Sequence, residues 1–230
     1  MYPFQVKPNE LTTFKVAARV ASKRLCALTH GRLPMRYPTY PPQVERRIEQ
    51  YHDDVRYSTI ALSISRLEIE NIEGAFAEVG VYQGATSSFI HQQAPERDFY
   101  LFDTFKGFPG EENTNDHRFR DTSQGAVSQF LGHSPRLHFR KGFFPETAVG
   151  LENITFSFVM LDVDLYQPSL DVLSFFYPRL ARGGYFFMHD FNSPESNYAI
   201  ARSSKEFMAD KPELLIELPD FSGSALFRKI

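Results

Sequence analysis

The segment Thr155–Phe176 reads TFSFVMLDVDLYQPSLDVLSFF. Its first part, Thr155–Asp164, is a nearly continuous apolar run, which is typical of a strand covered on both faces of a sheet. A helix is predicted over Pro168–Leu180, because proline is tolerated in the first turn of a helix. A buried strand followed directly by a helix is half of a strand–helix–strand unit, so this segment predicts a parallel α/β sheet.

The same alternation of strand and helix recurs along most of the chain. Further strands are predicted at Ala75–Gly80, Asp98–Asp103, Arg136–Gly142 and Gly184–Asp190. Further helices are predicted at Ala61–Gly74, Ala85–Gln93, Gln124–Leu131 and Pro194–Ala209. The segments ELLIELP and SALFRKI close the chain as two more strands, expected to form a hairpin. The pattern therefore predicts an α/β fold with a mostly parallel, seven-stranded, doubly wound sheet and one antiparallel strand near an edge.

Composition limits the classes of function. The chain has 230 residues, a net charge of −3 and a single cysteine. The negative charge argues against a nucleic-acid partner held through phosphates. Cys26 cannot form an intramolecular disulfide, which fits a reducing compartment. No apolar run approaches the about 20 residues of a membrane span, and the first residues do not read as a signal peptide. We therefore expect a cytoplasmic protein with no membrane partner.

Residues 1–50 differ from the rest of the chain. They are rich in Lys and Arg, and the segment Arg32–Pro42 is rich in proline. Because proline interrupts helices, we expect a helix, an irregular arm and a second helix from about Gln43. This arm would cover a pocket or form a subunit contact in a homo-oligomer such as a dimer, or it would simply pack on the surface. We expect residues 51–230 to form the main domain.

The turn after the first strand has the residues of a ligand-binding loop. It reads EVGVYQGAT over Glu78–Thr86. Gly80 permits a tight turn, and Gly84 permits a ligand to approach the N-terminus of the following helix closely. Asp103, 25 residues after Glu78, ends the second strand. A carboxylate there can accept hydrogen bonds from a ribose diol. The alternative is an ordinary strand–helix turn followed by a solvated aspartate.

Three aspartates lie at the carboxyl ends of two predicted strands, at the same expected edge of the sheet. Asp162 and Asp164 lie two residues apart, so strand alternation predicts that they point the same way, and Asp190 ends the next strand. Three carboxylates in one pocket require protonation or a cation, and oxygen ligands suit Mg²⁺ or Ca²⁺. His189 could add a nitrogen ligand for a softer ion. The alternatives are a helix N-cap at Asp164, a loop residue at Asp190 and a structural His189.

Four motifs together resemble a known family. They are EVGVYQGATS, LFDTFKGFP, KGFFPET and LDVDLYQPSLDVLSFFYPRLARGGYFFMHDF, spanning about Arg56 to Arg228. In this order they are similar to the macrocin O-methyltransferase family. The resemblance implies a Rossmann-like class I methyltransferase fold, S-adenosylmethionine as cofactor, Mg²⁺ or another divalent cation, and a sugar hydroxyl as acceptor. Some members of the family place Asp-Asp where this chain has His189-Asp190.

The resemblance also implies a role for each matching residue. Asp164 is expected to be the general base, and Asp162, His189 and Asp190 are expected to bind the metal. The expected cofactor-binding residues are Glu78, Gly80, Tyr82, Gly84, Thr86, Ser87, Asp103, Thr104 and Asp162. Since two vicinal hydroxyls can chelate one cation, we expect an acceptor with a diol, on a glycosylated natural product or a nucleotide-linked sugar.

Other functions remain open from the sequence. Within methyltransferases, a catechol-like or other small-molecule diol is the main rival acceptor. A non-catalytic module that binds S-adenosylmethionine would leave Asp164 and Asp190 unexplained. A nicotinamide-dependent oxidoreductase has no use for the carboxylates, and the glycine spacing E-x-G-x-x-x-G does not fit it.

Overall fold

The computed structural model describes residues 42–51, 53–108 and 118–230. The chain divides into two units, Met1–Gln50 and Tyr51–Ile230. In the first unit, helix α1 (Pro42–Gln50) agrees with the helix predicted from about Gln43. The first helix and the proline-rich arm lie outside the described residues, so their roles stay predictions.

The second unit alternates helices and strands as the sequence predicts. Its helices are α2 (Asp54–Ile69), α3 (Ala85–Gln93), α4 (Gln124–Leu131), α5 (Tyr166–Phe176) and α6 (Ala199–Phe207). Its strands are β1 (Ala75–Val79), β2 (Phe99–Asp103), β3 (Leu137–Lys141), β4 (Phe156–Leu161), β5 (Leu180–Met188), β6 (Ile216–Glu217) and β7 (Ala225–Arg228). Short 3₁₀ turns lie at Glu146–Ala148, Tyr177–Arg179 and Met208–Asp210.

The seven strands form one sheet in the order β3-β2-β1-β4-β5-β7-β6. Strands β1 to β5 are parallel, and β7 pairs antiparallel with both β5 and β6. This arrangement confirms the predicted seven-stranded sheet with a single antiparallel strand next to the edge. After β1 the chain moves outward to β2 and β3, and β4 returns to the opposite side of β1. The carboxyl ends of β1 and β4 therefore form the topological switch point, where ligands bind in open α/β sheets.

The core is rich in phenylalanine and is centred on β4. All six residues of β4 are buried, as its apolar sequence predicts. Helix α5 packs Val172, Leu173 and Phe176 into the same cluster, and the Phe156 and Phe176 rings meet edge to face at 4.8 Å. The strand and the helix of the segment Thr155–Phe176 thus bury each other. This packing holds the loop between them at the carboxyl end of β4.

Two boundaries of α2 differ from the prediction. The helix begins at Asp54 rather than Ala61, because the Asp53 side chain caps it by accepting the Arg56 backbone N–H at 3.2 Å. It ends at Ile69 with Glu70 as its C-cap, so a helix reaching Gly74 was wrong. Gly74 instead precedes β1 with φ +142°, where an added Cβ would lie 2.8 Å from the Ser157 backbone nitrogen.

Other boundaries shift because of local backbone geometry. Strand β5 starts at Leu180, four residues before the predicted Gly184, and Leu180 pairs with Phe156 at a register shift in β4. Strand β4 ends at Leu161 rather than Asp164. Helix α6 starts only at Ala199, since the preceding Tyr198 has φ +54°, a left-handed conformation outside the helix.

Within the three described ranges, no helix combines the length and the apolar character that crossing a membrane requires.

Candidate active site

A cavity of about 280 Å³ opens at the carboxyl ends of β1, β2, β4 and β5. Eight of the residues predicted for the site line it, namely Gly80, Tyr82, Asp103, Thr104, Asp162, Asp164, His189 and Asp190. Its other walls include the aromatic rings of Phe102, Phe108, Phe119, Phe143 and Phe144. The cavity therefore combines an aromatic lining with a cluster of carboxylates, an arrangement suited to binding a small molecule.

The turn after β1 lies directly against the end of β4. Gly80 has φ +93°, and an added Cβ would lie 1.8 Å from the Asp162 carbonyl oxygen. The Asp162 backbone N–H donates to the Val79 carbonyl at 2.8 Å. A glycine is required at this position for both reasons, the positive φ and the lack of space. The contact brings Asp162 beside the glycine turn.

The Asp103 carboxylate organises two loops at the cavity. Its Oδ2 accepts the backbone N–H groups of Val81 at 2.8 Å and Tyr82 at 2.9 Å. Its Oδ1 accepts the backbone N–H of Phe105 at 2.6 Å. A carboxylate has about four lone-pair directions, so these three bonds leave it able to accept from a ligand hydroxyl as well. The neighbouring Thr104 hydroxyl donates to the Gly107 carbonyl at 2.7 Å, which tightens the same turn.

Four predicted cofactor-binding residues are not among those that line the cavity. Glu78 is 1% exposed, and its carboxylate accepts a hydrogen bond from the Ser87 hydroxyl. Burial raises the pKa of Glu78 to about 8. Thr86 shares a hydrogen bond with the Tyr57 hydroxyl at 3.2 Å, and Gly84 occupies the N-cap position of α3. The contact of these four residues with a cofactor stays a prediction.

Asp162, His189 and Asp190 lie close enough together to hold a metal ion. One ligand atom from each lies within 4.8 Å of the other two. His189 Nδ1 is 3.0 Å from Asp162 Oδ1 and 3.4 Å from Asp190 Oδ1. The pairing of β4 with β5, in which Leu161 is opposite Met188, produces this meeting. Two carboxylates and one imidazole form a mixed oxygen and nitrogen donor set, which suits a divalent cation.

Asp164 lines the cavity as predicted, but its backbone conformation differs from the predicted strand. Strand β4 ends at Leu161 and Asp164 has φ +58°, so strand alternation does not determine its direction. The N-cap position of α5 is Leu165, so Asp164 does not cap that helix. Burial, followed by the charges of Asp162 and Asp190, raises the pKa of Asp164 to about 7. An aspartate with this pKa can accept a proton near neutral pH.

Arg56 was not predicted as a site residue. Its Nη1 contacts Nε2 of His189, although the two residues are 133 positions apart. No motif in the sequence indicates this contact, because it depends on where α2 begins. Burial lowers the pKa of His189, but the charges of Asp162 and Asp190 and the hydrogen bonds to them outweigh burial and raise this pKa to about 10.

The sheet order and the site geometry define a class I methyltransferase fold. The O-methyltransferase NovP has a similar structure, with a TM-score of 0.65 and 21% sequence identity over 76% of this chain and 79% of NovP. A family profile for macrocin-O-methyltransferase (TylF) matches residues 52–212. The chain therefore belongs to the macrocin-O-methyltransferase family, as the motifs predict.

Two curated relatives illustrate the family. The chain is 24% identical to the mycinamicin III 3''-O-methyltransferase of Micromonospora griseorubida, over 57% of this chain and 60% of the relative. It is 23% identical to the 8-demethyl-8-(2,3-dimethoxy-alpha-L-rhamnosyl)-tetracenomycin-C 4'-O-methyltransferase of Streptomyces olivaceus, over 59% of this chain and 60% of the relative. The matched region thus spans about three fifths of the length of these relatives.

Proposed function

We propose that this protein is an S-adenosylmethionine-dependent and divalent-metal-dependent O-methyltransferase that acts on a sugar hydroxyl. The observation that carries the proposal is the convergence of Asp162, Asp164 and Asp190 in the same cavity as the Asp103 turn. A cofactor site alone would not require three further carboxylates. A metal site alone would not require the glycine turn held by Asp103. Membership of the macrocin-O-methyltransferase family supports the same conclusion.

The residues of the cavity fit the two groups that the family implies. When bound, S-adenosylmethionine supplies an electrophilic methyl group, and a divalent cation supplies positive charge next to the acceptor oxygen. Asp103 would hold the ribose hydroxyls, and Gly80 and Tyr82 would border the cofactor. Asp162, His189 and Asp190 would hold the cation. The carboxylates also favour the cationic sulfonium over the neutral sulfide, which would help the spent cofactor to leave.

Asp164 is proposed to remove the proton of the acceptor hydroxyl. A sugar hydroxyl is a weak nucleophile, so methyl transfer requires a base within hydrogen-bonding distance of the oxygen. Asp164 lines the cavity two residues beyond Asp162, and the raised pKa leaves it able to accept a proton near pH 7 and release it afterwards. The left-handed backbone of Asp164 turns the chain between β4 and α5, which both pack in the core and thereby hold the base in place.

The aromatic walls are proposed to hold the acceptor and exclude water. Phe108, Phe119, Phe143 and Phe144 line the cavity together with the carboxylates. Aromatic faces pack against the apolar C–H surface of a sugar, while its hydroxyls turn toward polar groups. Exclusion of water also strengthens the electrostatic interactions inside the site. An acceptor with two neighbouring hydroxyls would satisfy both the cation and Asp164.

The identity of the acceptor is proposed from the relatives. One relative is named for the 3''-oxygen of mycinamicin III, and the other for the 4'-oxygen of a rhamnosyl tetracenomycin. We therefore propose a glycosylated natural product or a nucleotide-linked sugar. A catechol-like diol is the second candidate acceptor, since it offers the same pair of oxygens. The proposal also includes a role for residues 1–50, which would cover a pocket or form a subunit contact. It further includes a dimer and a cytoplasmic location.

A methyl-transfer assay tests the proposal. The purified protein would be incubated with labelled S-adenosylmethionine and a panel of glycosylated macrolides, nucleotide-linked deoxysugars and catechols, with and without EDTA. We expect label in a sugar product, loss of transfer with EDTA, and recovery with Mg²⁺. Transfer that persists at full rate in EDTA would contradict the metal requirement. Label in catechols alone would replace the sugar by the second acceptor class.

A further inference from the structure

Each polar group of Tyr82, in the backbone and in the side chain, has a hydrogen-bond partner. The backbone N–H donates to the Asp103 carboxylate at 2.9 Å, and the backbone carbonyl accepts from the Thr122 hydroxyl. The phenol hydroxyl donates to the Asp121 carboxylate, 2.9 Å from each of its two oxygens. Tyr82 has φ +51°, a left-handed conformation that is costly for a residue other than glycine. These partners therefore hold the turn after β1 in a shape that the backbone alone does not favour.

Asp121 binds two successive residues of this turn. Besides accepting from Tyr82, its Oδ2 accepts from Nε2 of Gln83 at 3.0 Å. The backbone carbonyl of Asp121 lies 3.3 Å from the same Gln83 nitrogen, which also donates to the Tyr82 hydroxyl at 3.2 Å. A carboxylate has about four lone-pair directions, so one side chain can hold both residues. Asp121 is not among the described residues that line the cavity, so it acts on the cavity through its neighbours.

The segment that carries Asp121 also supplies an aromatic wall of the cavity. The Phe119 ring meets the Tyr82 ring edge to face at 5.1 Å and the Phe108 ring at 5.2 Å. All three rings belong to residues that line the cavity. The Arg118 guanidinium lies 5.3 Å from the centre of the Phe108 ring and 5.5 Å from that of Phe119. Tyr82 thus contacts the wall with its ring and Asp121 with its hydroxyl.

We propose that Asp121 is a positioning residue that couples the turn after β1 to the aromatic wall at Phe119. By holding Tyr82, it keeps the turn in its binding shape before the cofactor arrives, and a preorganised site binds more tightly because less ordering is needed. Coupling is reciprocal, so a cofactor bound at the turn also stabilises the segment Arg118–Asp121. This inference rests on the proposed function, because it assumes that the cofactor binds beside Gly80 and Tyr82.

Calorimetry with S-adenosylhomocysteine tests the effect on affinity. Asp121→Ala removes the acceptor side chain and is expected to bind about fivefold more weakly or worse. Asp121→Asn retains an oxygen that can accept from the Tyr82 hydroxyl and is expected to stay within about twofold of the wild type. Tyr82→Phe removes the hydroxyl, retains the ring and is expected to lose affinity as Asp121→Ala does. Asp171→Ala is the matched control, since Asp171 also accepts from a glutamine, Gln167, and is expected to bind as the wild type does.

Limited digestion with trypsin tests the coupling, which a merely structural role would not produce. Trypsin cleaves after arginine, and Arg118 is exposed next to Phe119. At saturating S-adenosylhomocysteine, cleavage of the wild type after Arg118 is expected to slow about threefold or more relative to the free protein. Asp121→Ala, measured at a concentration that also saturates this variant, is expected to show no such protection. Asp121→Asn is expected to retain it.

The outcomes separate this inference from the proposed function. Wild-type affinity and wild-type protection in Asp121→Ala, with an unchanged thermal midpoint, overturn the role of Asp121 and leave the proposed function standing. Weaker binding with protection retained overturns the coupling. If Asp121→Ala does not fold, unchanged affinity and protection in Tyr82→Phe overturn the inference. Equal losses in Asp171→Ala contradict a specific effect of Asp121. Failure of the wild type to bind S-adenosylhomocysteine overturns the proposed function, and this inference with it.

Discussion

A Cβ added at Gly80 would lie 1.8 Å from the carbonyl oxygen of Asp162. The glycine turn after β1 and the end of β4 are therefore in direct backbone contact. Because Asp162 is also proposed to bind the metal, any displacement of the Gly80 turn would displace a metal ligand. The proposed cofactor half and metal half of the site meet at this contact.

This contact predicts a large effect for Gly80→Ala. The alanine would combine a positive φ with a backbone clash, so we expect the free energy of unfolding to fall by about 3 kcal/mol or more. Gly150→Ala is the matched control, since Gly150 has φ +87° and nothing within 4 Å of an added Cβ. The control is expected to lose only about 1–2 kcal/mol from the backbone strain. Urea unfolding measures both, and equal losses would contradict the close contact.

Asp103→Asn is expected to weaken cofactor binding. An amide offers one acceptor oxygen where the carboxylate offers two, so at least one of the N–H groups of Val81, Tyr82 and Phe105 would lose its partner. A hydrogen bond to a charged group contributes about 1.5–3 kcal/mol, and here it holds the turn that is proposed to border the cofactor. We therefore expect calorimetry to show a loss of about tenfold or more in affinity for S-adenosylhomocysteine.

Asp98→Asn is the control for this experiment. Asp98 precedes the opposite end of the same strand and pairs with Arg136 and His138. It should bind S-adenosylhomocysteine as the wild type does. A matching loss in both variants would indicate a general destabilisation of β2, whereas unchanged binding by Asp103→Asn would remove the role given to Asp103.

Asp164→Asn is expected to stop turnover without affecting the cofactor. The asparagine has nearly the same shape and cannot take the acceptor proton, so we expect the rate of methyl transfer to fall about 100-fold or more. Affinity for S-adenosylhomocysteine should stay within about threefold of the wild type. Asp171→Asn, an aspartate on α5 that accepts from Gln167, is expected to retain full activity. An active Asp164→Asn enzyme would refute Asp164 as the base.

The raised pKa of the buried Glu78 carboxyl predicts that the free energy of unfolding depends on pH. Burial is the chief cause that raises its pKa from an ordinary value of 4.5 to about 8 in the folded protein. The folded state therefore holds a proton that the unfolded chain has released, so this stabilising contribution is complete below about pH 4.5 and is lost as the pH rises through about 8. The glutamine of Glu78→Gln is neutral at every pH, so this variant does not lose stability at this position as the pH rises.

The free energy of unfolding measured at pH 5, 7 and 9 tests this dependence. The stability of Glu78→Gln relative to the wild type is expected to increase with pH by a few kcal/mol in total. Glu73→Gln is the control, because the Glu73 side chain is 90% exposed and should show no such trend. A difference between Glu78→Gln and the wild type that does not vary with pH would mean that Glu78 is ionised in the folded protein.

The fold could be predicted because its signals are local. The apolar run of β4, the proline in the first turn of α5 and the glycines after β1 each determine structure within a few residues. Their order along the chain then predicts the parallel sheet and its switch point. The boundaries that were wrong, such as the start of α2 at Asp54 and of α6 at Ala199, depend on a cap or on single left-handed residues.

The candidate site could be predicted in part. Asp162 and Asp190 meet because β4 and β5 are neighbours, which the order of strands implies. Asp164 lines the cavity as expected, but the reason given was wrong, since a left-handed turn directs it and strand alternation does not. Arg56 could not be predicted, because its contact with His189 joins two elements that are distant in sequence. Glu78 and Ser87 are buried, and the Ser87 hydroxyl donates to the Glu78 carboxylate, so the contact of these two residues with a cofactor stays a prediction.

A crystal structure with S-adenosylhomocysteine and Mn²⁺, with anomalous data at the manganese edge, tests the central claim most directly. We expect S-adenosylhomocysteine in the cavity with its ribose hydroxyls on the Asp103 carboxylate. We also expect an anomalous peak about 2.2 Å from oxygens of Asp162 and Asp190, with Asp164 facing the space beside the sulfur. S-adenosylhomocysteine in that cavity without a manganese peak at these carboxylates would contradict the metal-dependent mechanism. S-adenosylhomocysteine bound elsewhere would contradict the site itself.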